Sequence, residues 1–144
     1  MRIADVNLLI YAYDETSAHH PRARAWLEDQ LSGSDTFAVA WIGLLAFVRL
    51  ATNPRVFGNP LTADEAVNLV DEWMAQPCVT VLHPGQRHSA VLRDLLMLLG
   101  TAGNLTTDAH LAALAIEHGA ELCSADADFS RLPGLRWTNP LATA

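Results

Sequence analysis

Basic side chains are scarce in this sequence. Nine Lys and Arg residues stand against sixteen Asp and Glu residues, which gives a formal net charge of −7 at pH 7. Proteins that bind nucleic acid through charge alone usually carry a basic surface, so the composition argues against that class. An enzyme acting on nucleic acid is still compatible with it, because bound metal ions can bring positive charge into an acidic site.

Metal-type cysteine patterns and long apolar runs are also missing. Cys78 and Cys123 form no CxxC pair, which argues against a zinc site and fits reduced thiols in a cytoplasmic protein. No apolar run approaches the roughly 18 residues of a membrane span. The N-terminal segment has no small-residue cleavage site, so we expect neither a signal peptide nor a membrane association.

Other catalytic patterns are absent or weak. The sequence has no glycine-rich phosphate loop, and Ser124 lies outside any GxSxG motif, which argues against a serine hydrolase. His110, Glu117 and His118 fall in one helical segment, but their order differs from that of the HExxH zinc motif. We therefore expect this segment to present them on the protein surface.

Strand-like and helix-like segments alternate along the 144 residues, of which 51% are hydrophobic. The length suits one domain, residues 1–144. Short apolar segments predict five strands, at residues 2–6, 36–40, 78–82, 120–125 and 135–139. Helical patterns fall between them, including an apolar helix at 41–52 that we expect to be buried. This alternation predicts an α/β fold with a central parallel sheet of about five strands and helices on both faces.

Three aspartates occupy positions where such a fold binds ligands. Ligand sites of open parallel sheets lie beyond the carboxyl ends of the strands, where the strand order reverses. Asp5 ends the first predicted strand, Asp126 follows the fourth, and Asp108 lies in the first turn of the helix that leads into the fourth. Each also has an ordinary structural interpretation: Asp5 as a helix cap, Asp108 as a favourable charge at a helix N-terminus, and Asp126 as a turn residue.

Convergence of these three carboxylates predicts a cation site. Two carboxylates about 4 Å apart repel each other by about 4 kcal/mol at an effective dielectric constant of about 20. Three such groups are therefore unfavourable together unless protons or cations compensate them. Ligands that are all oxygen atoms favour Mg²⁺ or Mn²⁺, and a divalent cation would offset the burial of Asp5 in an otherwise apolar segment.

Three longer segments resemble the PIN-domain toxins of the VapC family: IADVNLLIYAY, FAVAWIGLLAFVRLATNPRVF and TTDAHLAALAIEHGAELCSADADFSRLPGLRWTNP. These toxins are the ribonuclease halves of bacterial type II toxin–antitoxin pairs. The resemblance implies a three-layer α/β/α sandwich and Mg²⁺- or Mn²⁺-dependent cleavage of structured RNA such as tRNA or ribosomal RNA. It also implies a homodimer and a VapB-type antitoxin that covers the site. The family's first, third and fourth acidic residues fall on Asp5, Asp108 and Asp126, with Asp128 as the second candidate for the fourth.

The family's second acidic residue is missing. In the family it is a glutamate, five residues after the tryptophan and three before the arginine of the second segment. Trp41 and Arg49 are in place here, but position 46 is alanine. Ala46 marks either a naturally altered or inactive member, or a deliberate replacement that permits expression of a toxic enzyme. The resemblance therefore implies an endoribonuclease of reduced activity.

Three arginines are candidate RNA contacts. Arg49 lies three residues after position 46, so both side chains project from one helix face. Three roles are open for Arg49: contact with a phosphate, orientation of the glutamate that is missing here, or a salt bridge with a nearby acid. Arg55 and Arg131 are weaker candidates, because both fall on predicted loops where solvated charge is common.

Two other functions are compatible with the sequence. An inert PIN-fold module would engage the antitoxin without cleaving RNA, and Ala46 favours that alternative. Another metal-assisted phosphate hydrolase, such as a phosphatase, would use a similar acidic edge. Assays on structured RNA and on a small phosphomonoester would separate these functions.

Overall fold

The computed structural model describes residues 1–100 and 103–142, which form five strands and six α-helices. The strands are β1 (Arg2–Ala4), β2 (Phe37–Val39), β3 (Val79–Val81), β4 (Glu121–Cys123) and β5 (Arg136–Thr138). The helices are α1 (Val6–Tyr13), α2 (His20–Ser32), α3 (Trp41–Ala51), α4 (Ala63–Met74), α5 (His88–Leu99) and α6 (Thr106–His118). Short 3₁₀ helices cover Gly103–Leu105 and Ala127–Arg131. The predicted alternation is confirmed; the predicted domain of residues 1–144 includes residues 101–102 and 143–144, which lie outside the described ranges.

All five strands are parallel, in the order β3-β2-β1-β4-β5. The central strand β1 pairs with β2 on one side and with β4 on the other, so that Ile3 lies opposite both Ala38 and Leu122. The strand order therefore reverses between β1 and β4. Because both strands are parallel, their carboxyl ends lie side by side at the position where such sheets bind ligands.

Successive side chains of the strands enter two separate cores, since neighbours along a strand point to opposite faces. Ile3 and Leu122 lie in a buried cluster with residues of α5 and α6. Ala4 and Phe37 lie in a second cluster, which contains residues of α1, α2, α3 and α4. The sheet is thus covered on both faces, and the expected three-layer α/β/α sandwich is confirmed.

A glycine with a positive φ follows each of the helices α5 and α6. Gly100 follows α5 with a φ of 75°, and Gly119 follows α6 with a φ of 66°. A positive φ of this kind is strained for residues with a Cβ and allows the chain to turn at once after a helix. The turn at Gly119 sends the chain directly into β4, so the N-terminal end of α6 lies at the carboxyl edge of the sheet.

Helix α3 is less buried than its apolar sequence predicts. Leu44 and Phe47 are buried, but Trp41 is 45% exposed and Leu45 is 59% exposed. The helices that pack most closely on α3 are α1 and α4, and an outer stripe of α3 stays uncovered. The prediction of a buried helix is therefore wrong for this stripe. No helix in residues 1–100 and 103–142, α3 included, has both the length and the apolar character needed to span a membrane.

Candidate active site

Asp5 lies at the junction between β1 and α1. It is the N-cap of α1, and its Oδ1 accepts a hydrogen bond from the Val6 N–H at 2.7 Å. Its Oδ2 accepts another from the Ser124 hydroxyl at 2.8 Å. Burial raises the pKa of Asp5; the two hydrogen bonds oppose this rise, and the charge of Asp126 adds to it. Asp5 is thus a helix cap and, at the same time, one of a group of interacting carboxylates.

Ser124 connects the ends of β1 and β4. It is completely buried, and besides donating to Asp5 its hydroxyl accepts from the Asp126 N–H at 3.0 Å and from Asn7 Nδ2 at 3.1 Å. Asn7 in turn accepts at Oδ1 from the Ala125 N–H at 3.3 Å. Sequence reasoning missed this role, since it weighed Ser124 only as a hydrolase nucleophile. The available signal was a small polar residue directly after an apolar strand.

Asp108 reaches the same edge of the sheet from α6. It lies in the first turn of that helix, and its side chain lines a cavity together with Asp5. Its pKa is raised to about 6, chiefly by burial and then by the charges of Asp5, Asp126 and Asp128. The structure therefore brings the predicted acidic residues close enough for their charges to interact.

Asp126 and Asp128 share the turn after β4. Asp126 caps the 3₁₀ helix, because its Oδ1 accepts a hydrogen bond from the Asp128 N–H at 2.9 Å. Its charge also raises the pKa values of both Asp5 and Asp108. Asp128 lines a small cavity with Asp108 and Arg131. Of the two aspartates, Asp126 is therefore the one that interacts with both other acids.

Position 46 borders these carboxylates. Ala46 and Arg49 of α3 line the same cavity, of about 200 Å³, as Asp5 and Asp108. Over residues 1–100 and 103–142 the guanidinium of Arg49 takes part in no ion pair. The salt-bridge alternative for Arg49 is therefore wrong within the described chain, and its positive charge is free to meet a ligand.

The other two arginines lie in different places. Arg131 is beside Asp108 and Asp128 in the small cavity. Arg55 lies on the loop after α3 and lines neither of the two cavities that contain carboxylates of the site. The structure thus places Arg131, together with Arg49, next to the acidic residues, and leaves Arg55 outside them.

The histidine-containing segment of α6 is partly internal. Glu117 accepts hydrogen bonds at 2.7 and 3.0 Å from two backbone N–H groups just before α5, and its side chain is only 9% exposed. His110 Nδ1 lies 2.9 Å from Nε2 of the buried His88. The prediction of a surface segment is wrong for Glu117 and His110 because α5 packs over them, whereas His118 is exposed as expected.

The chemistry of the donor set fits a hard divalent cation. The groups at this edge are carboxylate and hydroxyl oxygens, which Mg²⁺ and Mn²⁺ prefer. None of the four aspartates forms an ion pair with a basic side chain within the described ranges, so their repulsion is uncompensated there. In the same part of the chain, no three His, Cys, Asp or Glu side chains are already grouped as metal ligands. The argument that a divalent cation fits this site therefore rests on its oxygen donors and on the negative charge of its aspartates.

Known proteins resemble this chain over nearly its whole length. The family model described as PIN domain matches residues 3–135. The chain is 46% identical over 142 residues to Ribonuclease VapC37 of Mycobacterium tuberculosis (strain ATCC 25618 / H37Rv), with 99% of each protein covered. It is 44% identical over 141 residues to Ribonuclease VapC33 of M. tuberculosis (strain CDC 1551 / Oshkosh), with 98% of this chain and 99% of that protein covered. The chain belongs to the VapC family of PIN-domain ribonuclease toxins.

Solved structures share the fold of this VapC-family chain. One is VapBC2 from Rickettsia felis bound to a DNA fragment from their promoter, with a TM-score of 0.69, 18% identity, and coverage of 96% of this chain and 97% of that chain. Another is VapBC-1 from nontypeable Haemophilus influenzae, with a TM-score of 0.69, 20% identity and coverage of 98% of both chains. At these identities the likeness shows a common fold, in agreement with the sheet order described above.

Proposed function

We propose that this VapC-family chain is a metal-dependent endoribonuclease toxin that cleaves structured RNA such as tRNA or ribosomal RNA. The observation that carries the proposal is the meeting of Asp5, Asp108 and Asp126, from three distant segments, where the strand order reverses. A cluster of this kind is unfavourable for the fold, which points to a role in chemistry. The ribonuclease names of the relatives VapC37 and VapC33 support this class of reaction.

Each acidic residue has a defined part in the proposed reaction. Asp5, Asp108 and Asp126 would hold Mg²⁺ or Mn²⁺, with Asp128 beside them. When bound, such an ion supplies an acidified water and neutralises charge on the scissile phosphate. Ser124 holds Asp5 by its hydroxyl and the backbone of Asp126 by its oxygen, so it fixes two of the acids relative to each other. In-line attack of water on phosphorus would leave a 5′-phosphate and a 3′-hydroxyl.

Arginines are the proposed RNA contacts of this site. Arg49 and Arg131 lie beside the carboxylates, where they would contact the strand that is cut. Arg55 lines neither of the two cavities that contain site carboxylates, so it would bind RNA at a distance from them. The chain is acidic as a whole, so these few positive charges would act locally rather than attract RNA to the entire surface.

Two protein partners belong to the proposal. A segment of a VapB-type antitoxin would lie across the carboxylates and place an arginine against them, because no basic side chain among the described residues forms an ion pair with them. The similar solved structures are VapBC complexes, which supports a partner of this kind. A second copy of the chain would cover Trp41 and Leu45, the large apolar side chains that α3 exposes.

Position 46 favours a second function. Ala46 borders the carboxylates and offers no ligand, so we propose that this chain binds metal weakly and cleaves RNA slowly. The limiting case is a catalytically inert module that binds only its antitoxin. The two functions differ in whether any metal-dependent cleavage remains.

Cleavage of RNA by the purified chain tests the proposal. We expect slow cleavage of tRNA or ribosomal RNA that requires Mg²⁺ or Mn²⁺, stops in EDTA and is lost in Asp108→Asn. If the chain and its Ala46→Glu variant both leave RNA intact, the endoribonuclease proposal fails. Hydrolysis of a small phosphomonoester without RNA cleavage would instead identify a phosphatase.

Thermal unfolding gives a second readout that needs no turnover. A cation that binds only the native state raises Tm by mass action. Mg²⁺ or Mn²⁺ should therefore raise the Tm of the chain, and Asp5→Asn should reduce that rise. A Tm that millimolar metal leaves unchanged would contradict the proposed metal site.

A further inference from the structure

The side chain of Asn7 joins the first turn of α1 to the segment that follows β4. Its Oδ1 accepts a hydrogen bond from the Ala125 N–H at 3.3 Å. Its Nδ2 donates to the Ser124 hydroxyl oxygen at 3.1 Å and, at a longer 3.4 Å, to Asp5 Oδ2. A side-chain amide accepts only at its oxygen and donates only from its nitrogen. The Ala125 N–H therefore fixes the orientation of this amide, with its nitrogen towards Ser124 and Asp5.

The main chain of Ser124 is held from the other side by β5. Its N–H donates to the Thr138 carbonyl oxygen at 3.1 Å, and its carbonyl oxygen accepts from the Trp137 indole N–H at 3.1 Å. The residue is also completely buried. Neighbouring protein groups, rather than solvent, therefore decide the direction of its hydroxyl proton.

The hydrogen bonds around the Ser124 hydroxyl determine where that proton lies. A hydroxyl donates one hydrogen bond and has two acceptor lone pairs. Both lone pairs are used here, one by Asn7 Nδ2 and the other by the Asp126 N–H at 3.0 Å. The proton therefore points in the remaining direction, towards Asp5 Oδ2 at 2.8 Å. Without the Asn7 amide, one lone pair would be unused and the hydroxyl would be free to rotate away from Asp5.

These bonds make the two carboxylate oxygens of Asp5 unequal. Oδ2 accepts from both Ser124 and Asn7. Over residues 1–100 and 103–142, Oδ1 accepts from the Val6 N–H alone. Each oxygen of an ionised carboxylate has about two acceptor positions. Oδ1 therefore keeps one position for a ligand, whereas both positions of Oδ2 are used.

We propose that Asn7 is a positioning residue of the cation site: through Ser124 it keeps a proton on Asp5 Oδ2 and leaves Oδ1 as the oxygen that binds the cation. The inference rests on the proposed function, because it concerns how Asp5 would meet the metal. Side chains that orient a metal ligand without touching the metal change metal affinity by roughly 10–100-fold. Asn7→Leu removes both the donor and the acceptor at similar size, so it should weaken Mn²⁺ binding by a factor in this range.

NMR of the metal-free chain tests the hydrogen bonds themselves. The carboxyl ¹³C signal of Asp5 should move in Asn7→Leu in the same direction as in Ser124→Ala, because both variants take the hydroxyl proton from Oδ2. Asn68→Leu makes the same change at an exposed position of α4 and should leave this signal in place. If Asn7→Leu does not fold, the side-chain amide signals of Asn7 should still shift in Ser124→Ala. An unmoved Asp5 signal in Asn7→Leu, or unmoved amide signals in Ser124→Ala, would overturn the proposal.

A double-mutant cycle on Mn²⁺ binding shows whether Asn7 acts through Ser124. Electron paramagnetic resonance of free Mn²⁺ gives the dissociation constant for the unaltered chain, the two single variants and the double variant. The double variant should lose less affinity than the two single losses combined, because both changes break the same chain of hydrogen bonds. Additive losses would contradict an action through Ser124. A lower Tm of metal-free Asn7→Leu with unchanged Mn²⁺ affinity would show a purely structural role and overturn the proposal.

The same measurements separate this inference from the proposed function. If the unaltered chain binds no Mn²⁺ while the NMR signals respond as expected, the metal-dependent function fails and only the ordering of the Ser124 hydroxyl by Asn7 remains. If the unaltered chain and Asn7→Leu bind Mn²⁺ equally, the positioning role of Asn7 fails and the metal-dependent function stands.

Discussion

The carboxylate of Asp108 couples the stability of the chain to pH. Its pKa is about 6 in the folded chain against an ordinary value of 3.8. Between these values the folded state binds more protons than the unfolded state, so stability falls as the pH rises through this window. This destabilisation reaches its full size above about pH 6. Below about pH 3.8 it is absent, because Asp108 is protonated in both the folded and the unfolded chain. Asp108→Asn should therefore raise the Tm of the metal-free chain at neutral pH and lose this advantage near the acidic end of the window.

A matched control separates this effect from a general change of charge. Asp94→Asn replaces an exposed aspartate in the middle of α5 and should leave Tm nearly unchanged across the same pH range. Thermal unfolding at several pH values measures both variants. A lower Tm for Asp108→Asn at neutral pH would show that this carboxylate stabilises the fold.

Substitution at position 46 tests the proposed effect of Ala46 on catalysis. Ala46→Glu adds a carboxylate next to Asp5 and Asp108, which should strengthen Mn²⁺ binding and raise metal-dependent RNA cleavage by roughly 10–100-fold. Expression of this variant without an antitoxin should then be toxic. Ala46→Gln has nearly the same shape without the charge and is the matched control. Equal cleavage by all three forms on the true RNA target would place position 46 outside the chemistry.

At the scale of single elements, Glu117 ties the end of α6 to the beginning of α5. It accepts hydrogen bonds from the N–H groups of Gly85 at 2.7 Å and Arg87 at 3.0 Å, where the helix itself provides no acceptors. The bond from Gly85 is the main cause of the lowered pKa of Glu117. This stabilisation is present above the ordinary carboxyl pKa of 4.5 and is lost as the pH falls through the lower folded value. Glu117→Ala should therefore speed amide hydrogen exchange at Gly85 and Arg87 at neutral pH.

Glu117→Gln keeps an acceptor oxygen without the charge and should speed that exchange less. NMR-detected exchange at single amides measures the difference between the two variants. Equal protection of both amides in Glu117→Ala and in the unaltered chain would show that the carboxylate does not hold the start of α5.

The elements themselves could be predicted because their signals are local. Each strand is a short apolar segment, and the rule that ligands bind at the carboxyl ends of parallel strands selected Asp5 and Asp126 before any contact was known. The contacts of Ser124 and Glu117 could not be predicted in this way. Both depend on which element lies next to them, and that neighbour is distant in the sequence. The exposure of Leu45 was missed for the same reason, since an apolar stripe does not reveal whether its cover comes from the same chain.

At the scale of the molecule, the exposed stripe of α3 predicts self-association. Trp41 and Leu45 lie one helical turn apart, so they form a continuous apolar surface. Leu45→Glu places a charge in that surface and should shift the mass measured by light scattering towards the monomer. Val67→Glu is the control, because Val67 is a similarly exposed apolar residue on α4 at 45% exposure, and it should leave the mass unchanged. A monomer at high concentration of the unaltered chain would contradict the homodimer.

The pairing of β1 with β4 also affects how this protein folds during its synthesis on the ribosome. β1 is synthesised first, but it pairs with β4, in which Glu121 lies beside Arg2 and 119 residues after it. Pairings over such distances form late in folding. A growing polypeptide that ends before β4 therefore contains Asp5 but has neither Ser124 nor Asp126 to meet it. In the proposed mechanism, the cation site is complete only after β4 and the turn that follows it have been synthesised, so the growing chain would be inactive until then and an antitoxin would have that time to bind.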